Sequence, residues 1–266
     1  MGSTAAAPAR VGECEKAVVA LSVTGEVGDG WWDREGALRD SSVREKSGVA
    51  TVAGGVRLNR QWQVGLAAPL LVNHRASESL SGWGGGVGDV RLSALWDPFE
   101  ERAVADRLPA PVPLFILGTR LPTGRDWTHS SSVLHEDVTG LEQSAVVVGG
   151  QLERTLDKWP WSVGATTELG LGSLGLQPLV RTNGSLGRYL GHRWTVIGTL
   201  GHQIGWATLE AGGHASAQTW SGVQVVHGSP GRWRAWVGGK AGLPIRGAGV
   251  SATRTASVST GLAVIL

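Results

Sequence analysis

The twelve residues from 232 to 243 decide the fold class: Arg-Trp-Arg-Ala-Trp-Val-Gly-Gly-Lys-Ala-Gly-Leu. Side chains on a β-strand point alternately to its two faces. On one face this stretch would carry Trp233, Ala235, Val237, Gly239, Ala241 and Leu243. The other face would carry both arginines, Trp236 and Lys240. A helix of 3.6 residues per turn would mix the two sets, so the pattern predicts a strand with one apolar face.

The same alternation recurs along the whole chain. It is clear in residues 193–206, 62–70 and 89–96, where most side chains at every second position are apolar. The pattern predicts about twelve strands, at 16–26, 48–59, 61–74, 87–97, 110–121, 142–154, 159–170, 176–190, 193–207, 214–227, 231–243 and 250–266. We therefore expect an all-β fold, a closed antiparallel up-and-down transmembrane β-barrel of about twelve strands. A soluble β-sandwich is the alternative for the fold.

Composition is consistent with a chain that crosses a membrane as strands. Hydrophobic residues make up 41% of the 266 residues, yet the mean hydropathy is −0.01 because apolar and polar residues alternate. No stretch approaches the roughly 18 uncharged apolar residues of a membrane-spanning helix. We expect one barrel domain over 16–266, preceded by a flexible N-terminal segment over 1–15.

The connections between the predicted strands alternate between two kinds. The long polar ones follow the odd strands, at 27–47, 75–86 and 122–141, and the glycine-rich run 82–86 is expected to be a loop. Most of the others are tight, such as Gly191-His192 and Ser229-Pro230. Outer-membrane barrels have long extracellular loops and short periplasmic turns. An even number of strands would place both termini on the periplasmic side.

Tryptophan is unusually frequent, with 13 Trp against two Phe and one Tyr. Six of them lie where predicted strands meet the short turns: Trp62, Trp96, Trp159, Trp161, Trp194 and Trp233. All six would therefore lie at the same end of the barrel. Tryptophan favours the boundary between membrane and water, so this set predicts an interfacial girdle.

The face opposite the apolar one would line the interior of the barrel. Its charged members, the predicted pore-lining set, are Glu26, Arg57, Asp89, Arg91, Arg120, Glu153, Glu168, Arg181, Arg232, Arg234 and Lys240. These side chains either pair with one another to hold or plug the barrel, or line a water-filled path. Their basic excess suggests a mild preference for anions.

Several other classes of function lack their sequence signals. The net charge is +2 with no basic stripe, which argues against nucleic-acid binding, and the single cysteine, Cys14, excludes an intrachain disulfide. His129, His135, Glu136 and Asp137 lie close together in the sequence, but their spacing matches no strong metal signature. There is no Gly-x-Ser-x-Gly elbow and no phosphate-binding loop. We expect no catalytic residues, no metal and no cofactor.

Two motifs carry a family resemblance. Residues 86–96, Gly-Val-Gly-Asp-Val-Arg-Leu-Ser-Ala-Leu-Trp, and residues 117–124, Leu-Gly-Thr-Arg-Leu-Pro-Thr-Gly, resemble the MetA-pathway of phenol degradation family of outer-membrane transporters. More distantly, the chain is similar to fatty-acid-type outer-membrane channels. The resemblance implies uptake or export of small hydrophobic or aromatic compounds, and it supplies no catalytic residues.

These observations together predict a channel or transporter in the bacterial outer membrane. Its expected partners are outer-membrane lipid, a small-molecule solute and the outer-membrane assembly machinery, but no nucleic acid. Met1 to Val11 contains no apolar run of the signal-peptide kind. A structural or adhesive barrel with a closed interior, and a membrane-embedded hydrolase, are the alternatives.

Overall fold

The computed structural model describes residues 11, 15–32, 38–98, 111–126, 128–141, 143–172, 175–191, 193–206, 215–229, 232–243 and 252–266. Within these ranges the strands are β1 (Ala17–Trp32), β2 (Leu38–Arg57), β3 (Trp62–Ala76), β4 (Ser81–Val87), β5 (Val90–Trp96), β6 (Val112–Leu121), β7 (Ser144–Leu156), β8 (Trp159–Gly172), β9 (Gly175–Tyr189), β10 (Trp194–Trp206), β11 (Ala215–Ser229), β12 (Trp233–Leu243) and β13 (Ala252–Ile265). No helix in this part of the chain is long and apolar enough to cross a membrane.

The strands form one closed antiparallel sheet. Apart from β4 and β5, strands that are neighbours in the chain pair with each other, and β1 also pairs with β13. Strands β4 and β5 occupy a single position, since β4 pairs with the second half of β3 and β5 with the first half. The thirteen strands therefore fill twelve positions around the barrel, and the predicted fold class is confirmed.

Two of the predicted long loops are wrong, because the strands extend much further at that end. In place of the loop 27–47, β1 continues to Trp32 and β2 begins at Leu38. The glycine-rich run 82–86, predicted as a loop, forms β4. In these extensions polar residues and glycine predominate and the few apolar side chains do not recur at every second position, so the hydrophobic alternation that reveals a strand disappears. Most of residues 98–109, which connect the strands predicted at 87–97 and 110–121, lie outside the described residues.

The apolar face of the sheet points outward. On β1, Val19, Leu21 and Val23 are each about half exposed, whereas Val18 and Ala20 on the other face are buried. On β3, Val64, Leu66 and Leu70 are exposed, while Gln63, Asn73 and Arg75 are buried. This is the reverse of a soluble barrel, whose large apolar side chains fill the interior.

The six girdle tryptophans lie at the short-turn end of the barrel. Trp62, Trp96, Trp159 and Trp194 are exposed on the outer face. Trp161 and Trp233 are half-buried and share the outward parity of their strands. Trp62 and Trp96 stack with ring centroids 5.9 Å apart, and His227 lies between Trp194 and Trp233. Adjacent strands thus place these rings at the same height along the barrel axis.

Candidate functional site

A network of charged side chains lies inside the barrel around Glu168 of β8. Its Oε1 accepts a hydrogen bond from Arg120 Nε at 2.6 Å, and its Oε2 lies 3.0 Å from Arg181 Nη1 and 3.3 Å from Arg91 Nη2. Arg181 Nε also donates to Gln203 Oε1 at 2.9 Å. One carboxylate thus holds three guanidinium groups from β5, β6 and β9, and the network joins five strands through Gln203 of β10.

Asp89 connects this network to the long loop 122–143. The residue follows Gly88 at the break between β4 and β5, which turns its carboxylate toward the interior. Asp89 Oδ2 accepts hydrogen bonds from Arg120 Nη1 and Leu141 N at 2.8 Å, and Oδ1 accepts one from Gly124 N at 3.1 Å. The Gly-Asp motif and the Pro-Thr-Gly motif therefore meet at one carboxylate, which fixes both ends of the loop.

The middle of the loop folds inward against the wall of the barrel. Two inward-facing side chains of β3 donate hydrogen bonds to its backbone carbonyls. Asn73 Nδ2 donates to Glu136 O and Val138 O at 3.2 and 3.1 Å. Arg75 Nη1 donates to Leu134 O and His135 O at 2.9 and 3.0 Å. The loop consequently occupies part of the interior on the side of β3 to β6.

The glycines of β4 leave room for this loop. Gly82, Gly84 and Gly86 share the inward parity of Arg75, Asn73 and Leu71, their partners on β3. A β-carbon on Gly84 would lie 2.6 Å from Glu136 C and Asp137 N. A β-carbon on Gly82 would lie within van der Waals overlap of the Glu136 carboxylate. The absence of a side chain at Gly82 and Gly84 therefore lets the loop approach the backbone of β4 closely.

Inside the loop, Asp137 is the principal acceptor of hydrogen bonds. Its Oδ1 accepts from Ser130 Oγ at 2.5 Å, and its Oδ2 accepts from Ser131 N at 3.0 Å and Arg125 Nη1 at 2.8 Å. The Ser130 hydroxyl, followed by the Ser131 amide and Arg125, holds the pKa of the Asp137 carboxyl far below its usual range. This carboxylate is therefore the ionised centre around which the loop is folded.

The acidic and histidine residues of this loop do not converge on one point. The His129 ring nitrogen lies 2.8 Å from Asp126 Oδ1, and the Glu136 carboxylate accepts a hydrogen bond from Ser132 Oγ. Among the described residues, no group of three or more His, Cys, Asp or Glu side chains is placed to hold a metal ion. A pocket of about 390 Å³ opens beside the loop and is lined by the end of β4 and by residues 123–126 and 129.

Two tryptophans face inward on the wall opposite the loop, and the ring of each covers a glycine. Trp220 covers Gly201 and Trp236 covers Gly261, and in both cases the two residues are direct partners on adjacent strands. Lys240 Nζ lies 5.9 Å from the centre of the Trp220 ring. Trp220 alternates in step with Gln218 and Gly222, so the sequence itself indicates that it faces inward. The predicted pore-lining set omitted it because that set contained only charged residues.

The N-terminal segment reaches the interior at the short-turn end. Val11 is 1% exposed and packs with Val18, Ala20 and Ala263, against which Trp236 also lies. Val11 N donates to Gln63 Oε1, and Arg57 Nη2 donates to Val11 O, both at 3.1 Å. Glu15 pairs with Arg234. The rest of the predicted flexible segment, including Cys14, lies outside the described residues.

The remaining members of the predicted pore-lining set are more dispersed. Glu26 and Lys240 are half-buried on the inward faces of β1 and β12. Glu153 accepts a hydrogen bond from Gln151 Nε2 at 3.1 Å. Arg232 is exposed in the turn before β12, because the strand begins one residue later, at Trp233. The structure therefore brings together Asp89, Arg91, Arg120, Glu168 and Arg181, and it leaves Arg232 apart.

Known barrels of the outer membrane have similar folds. The chain is similar to an outer-membrane channel from Pseudomonas putida F1, with a TM-score of 0.72 and 13% identity over 100% of this chain and 99% of that one. It is also similar to the β-domain of the Bordetella autotransporter Brka (TM-score 0.58, 12% identity, 95% and 100% covered). A third similar structure is the NanC porin (TM-score 0.52, 9% identity, 92% and 100% covered). At these identities the likeness concerns the fold.

Neither a family model nor a curated protein sequence matches the chain. What this molecule does must therefore be argued from its own side chains, within the barrel architecture that it shares with these structures.

Proposed function

We propose that this protein is a channel of the bacterial outer membrane for small solutes, narrowed by an inward-folded loop. The observation that carries the proposal is the inverted distribution of side chains around a closed barrel. Apolar residues and a tryptophan girdle point outward, where lipid would meet them, and charged residues point inward. A barrel with this distribution is stable only with hydrocarbon around it.

The path for a solute would run between the loop and the opposite wall. The contacts of the loop described above are with β3 to β6, whereas Arg181, Gln203, Trp220 and Lys240 extend from the other side. The exposed part of Arg181 and the rings of Trp220 and Trp236 would contact a solute in this path. The resemblance to the phenol-degradation transporters favours small hydrophobic or aromatic compounds, and the inward-facing tryptophans are compatible with them.

Liposome swelling with the purified, refolded barrel tests the proposal. Swelling in an isotonic solution of a small uncharged solute should proceed at a measurable rate with the wild-type protein. The Gly84→Val variant should swell the vesicles faster, since its β-carbon would displace the loop from the wall. Gly25→Val is the matched control, because a β-carbon there meets nothing within 4 Å. Faster swelling with both variants would contradict the role of the loop.

A structural barrel with a closed interior is the second candidate. It is favoured by the ion pairing of the interior charges and by the burial of Val11 at the short-turn end. Vesicles containing the folded wild-type barrel that do not swell with any small solute would support this candidate over the channel.

A further inference from the structure

A basic patch lies on the outer face of the barrel at the long-loop end. Lys46 of β2, His74 of β3 and Trp83 of β4 are direct partners in one row across three strands. Arg44, two residues from Lys46 on β2, lies on the same face beside this row. We call these four residues the outer basic patch.

Strand parity shows that the patch points away from the interior. The neighbouring residues Glu45 and Arg75 face inward and form an ion pair at 3.3 Å. Arg44 and Lys46 must therefore face outward, and both are exposed. The Trp83 side chain is 71% exposed, and its ring lies 4.5 Å from the ring of His74. An apolar ring and two cations are thus presented together to the surroundings.

The patch lies at the height where the lipid headgroups would begin. On β3 the outward apolar residues run from the girdle residue Trp62 to Val72, ten residues later. At about 3.4 Å per residue and a tilt of about 40°, this distance is about 26 Å across the membrane. It matches the height of the apolar band in barrels of this kind, and His74 is the next outward residue.

The cations of the patch have no partner of opposite charge in the described part of the chain. The outward acid on β1, Asp29, lies 3.5 Å from Arg254 of β13. Asp40 and Glu78 are exposed further out, near the ends of the two hairpins. Arg44 and Lys46 form no ion pair with any of them. A ligand with negative charge at this height would therefore supply the missing counter-charge.

We propose that the outer basic patch binds a phosphate monoester on the headgroup of an anionic membrane lipid, with Arg44 and Lys46 contacting the phosphate and Trp83 contacting the upper acyl chain. This inference rests on the proposed function, since it requires the barrel to lie in a membrane. Tryptophan suits the boundary because its ring packs on hydrocarbon while its N–H remains wet. The patch would fix one side of the barrel to a phosphorylated lipid of the leaflet at the long-loop end.

The test compares vesicles of phosphatidylcholine containing diphosphoryl lipid A with the same vesicles containing dephosphorylated lipid A. The readout is the temperature at which half of the folded, heat-modifiable band is lost. The phosphorylated lipid should raise this temperature for the wild-type barrel by about 2–4 °C. The double variant Arg44→Gln/Lys46→Gln should lose the difference, and Trp83→Ala should reduce it. The control Arg193→Gln/Arg232→Gln removes the same charge from exposed residues at the short-turn end and should retain the difference.

The outcomes separate this site from the proposed function. An equal shift in the Arg44/Lys46 variant, or no shift in a wild-type barrel that inserts and swells vesicles, would overturn the lipid site and leave the channel standing. A wild-type chain that gives no heat-modifiable band in any vesicle would contradict the membrane location, and the lipid site with it. If the double variant does not fold, the Trp83→Ala comparison and the wild-type response to the two lipids still decide the matter.

Discussion

Arg120 of β6 and Glu168 of β8 meet inside the barrel across the strand that separates them. Their Nε and Oε1 atoms are 2.6 Å apart, and each side chain is 4% exposed. The intervening strand presents Ala145, the direct partner of Arg120, and this alanine is fully buried beneath the pair. A small side chain at that position permits two long ones to bridge non-adjacent strands, which ties the wall of the barrel together.

Replacing Glu168 with Gln should destabilise the barrel and make it more selective for anions. The change leaves Arg91, Arg120 and Arg181 without their shared carboxylate, and breaking an enclosed ion pair costs about 3–5 kcal/mol of unfolding free energy. The anion-to-cation permeability ratio, obtained from the reversal potential in a salt gradient, should rise. Glu78→Gln, in the exposed β3–β4 turn, makes the same change in net charge and should leave the ratio as it is. Equal ratios in the two variants would argue against a path beside Glu168.

The Arg75→Ala variant should free the inward-folded loop. It removes two charge-assisted hydrogen bonds to Leu134 O and His135 O, each of which contributes about 1.5–3 kcal/mol. We expect larger or noisier single-channel currents than those of the wild type. Arg193→Ala, exposed in the β9–β10 turn, is the control and should give wild-type currents. A quiet, unchanged current in Arg75→Ala would mean that the loop does not limit conduction.

The stability of the loop should depend on pH through Asp137. Because the folded pKa is depressed, the contribution of this carboxylate is present above the ordinary aspartate pKa of about 3.9 and is lost as the pH falls through the lowered value. Asp137 therefore stays ionised between pH 7 and about pH 4, and its titration should not change the wild-type single-channel current over this range. The Asp137→Asn variant should already give, at pH 7, the larger or noisier current that is expected when the loop is freed. An Asp137→Asn current equal to that of the wild type at pH 7 would show that Asp137 does not hold the loop in place.

The pair Gly201 and Trp220 should behave as one unit. A β-carbon on Gly201 would overlap the Trp220 ring, so Gly201→Val should lower the unfolding free energy by about 1–3 kcal/mol. Trp220→Ala removes the ring that is in the way, and it should relieve much of that loss in the double variant. The check is a double-mutant cycle from urea unfolding in detergent. Additive losses would contradict the packing of the ring on the glycine.

Arg57→Ala should weaken the attachment of the N-terminal segment at the short-turn end. Its guanidinium donates to Val11 O, which lies in the interior beside Val18 and Ala20. If the segment obstructs the path, the conductance of this variant should exceed that of the wild type. Arg193→Ala, exposed in the β9–β10 turn at the same end, is the matched control. Unchanged conductance in Arg57→Ala would indicate that the segment leaves the path open.

Alternation was sufficient to predict a closed antiparallel barrel of about twelve strands. It failed where polar residues and glycine predominate and apolar side chains no longer recur at every second position, as in β4 and at the start of β2. The glycines of β4 leave the space in which the loop 122–143 contacts the barrel wall.

For the charged residues of the interior, the sequence indicated which face of the sheet each one occupies. It did not indicate which side chains they contact. Parity alone places Asp89 and Glu168 on the inner face, but which arginines they meet depends on register and on the small Ala145 between them. The inward fold of residues 122–143 depends on contacts between residues about 60 positions apart, such as Asn73 with Glu136 and Arg75 with His135. Such contacts leave no periodic signal in a single sequence.

The most direct test of the central claim is the single-channel current of the purified, heat-modifiable protein in a planar lipid bilayer. A channel narrowed by the inward-folded loop should give discrete current steps in the wild type and larger steps in Gly84→Val, with Gly25→Val equal to the wild type. A folded, heat-modifiable barrel that inserts and carries no current, in the wild type and in Gly84→Val alike, would contradict it.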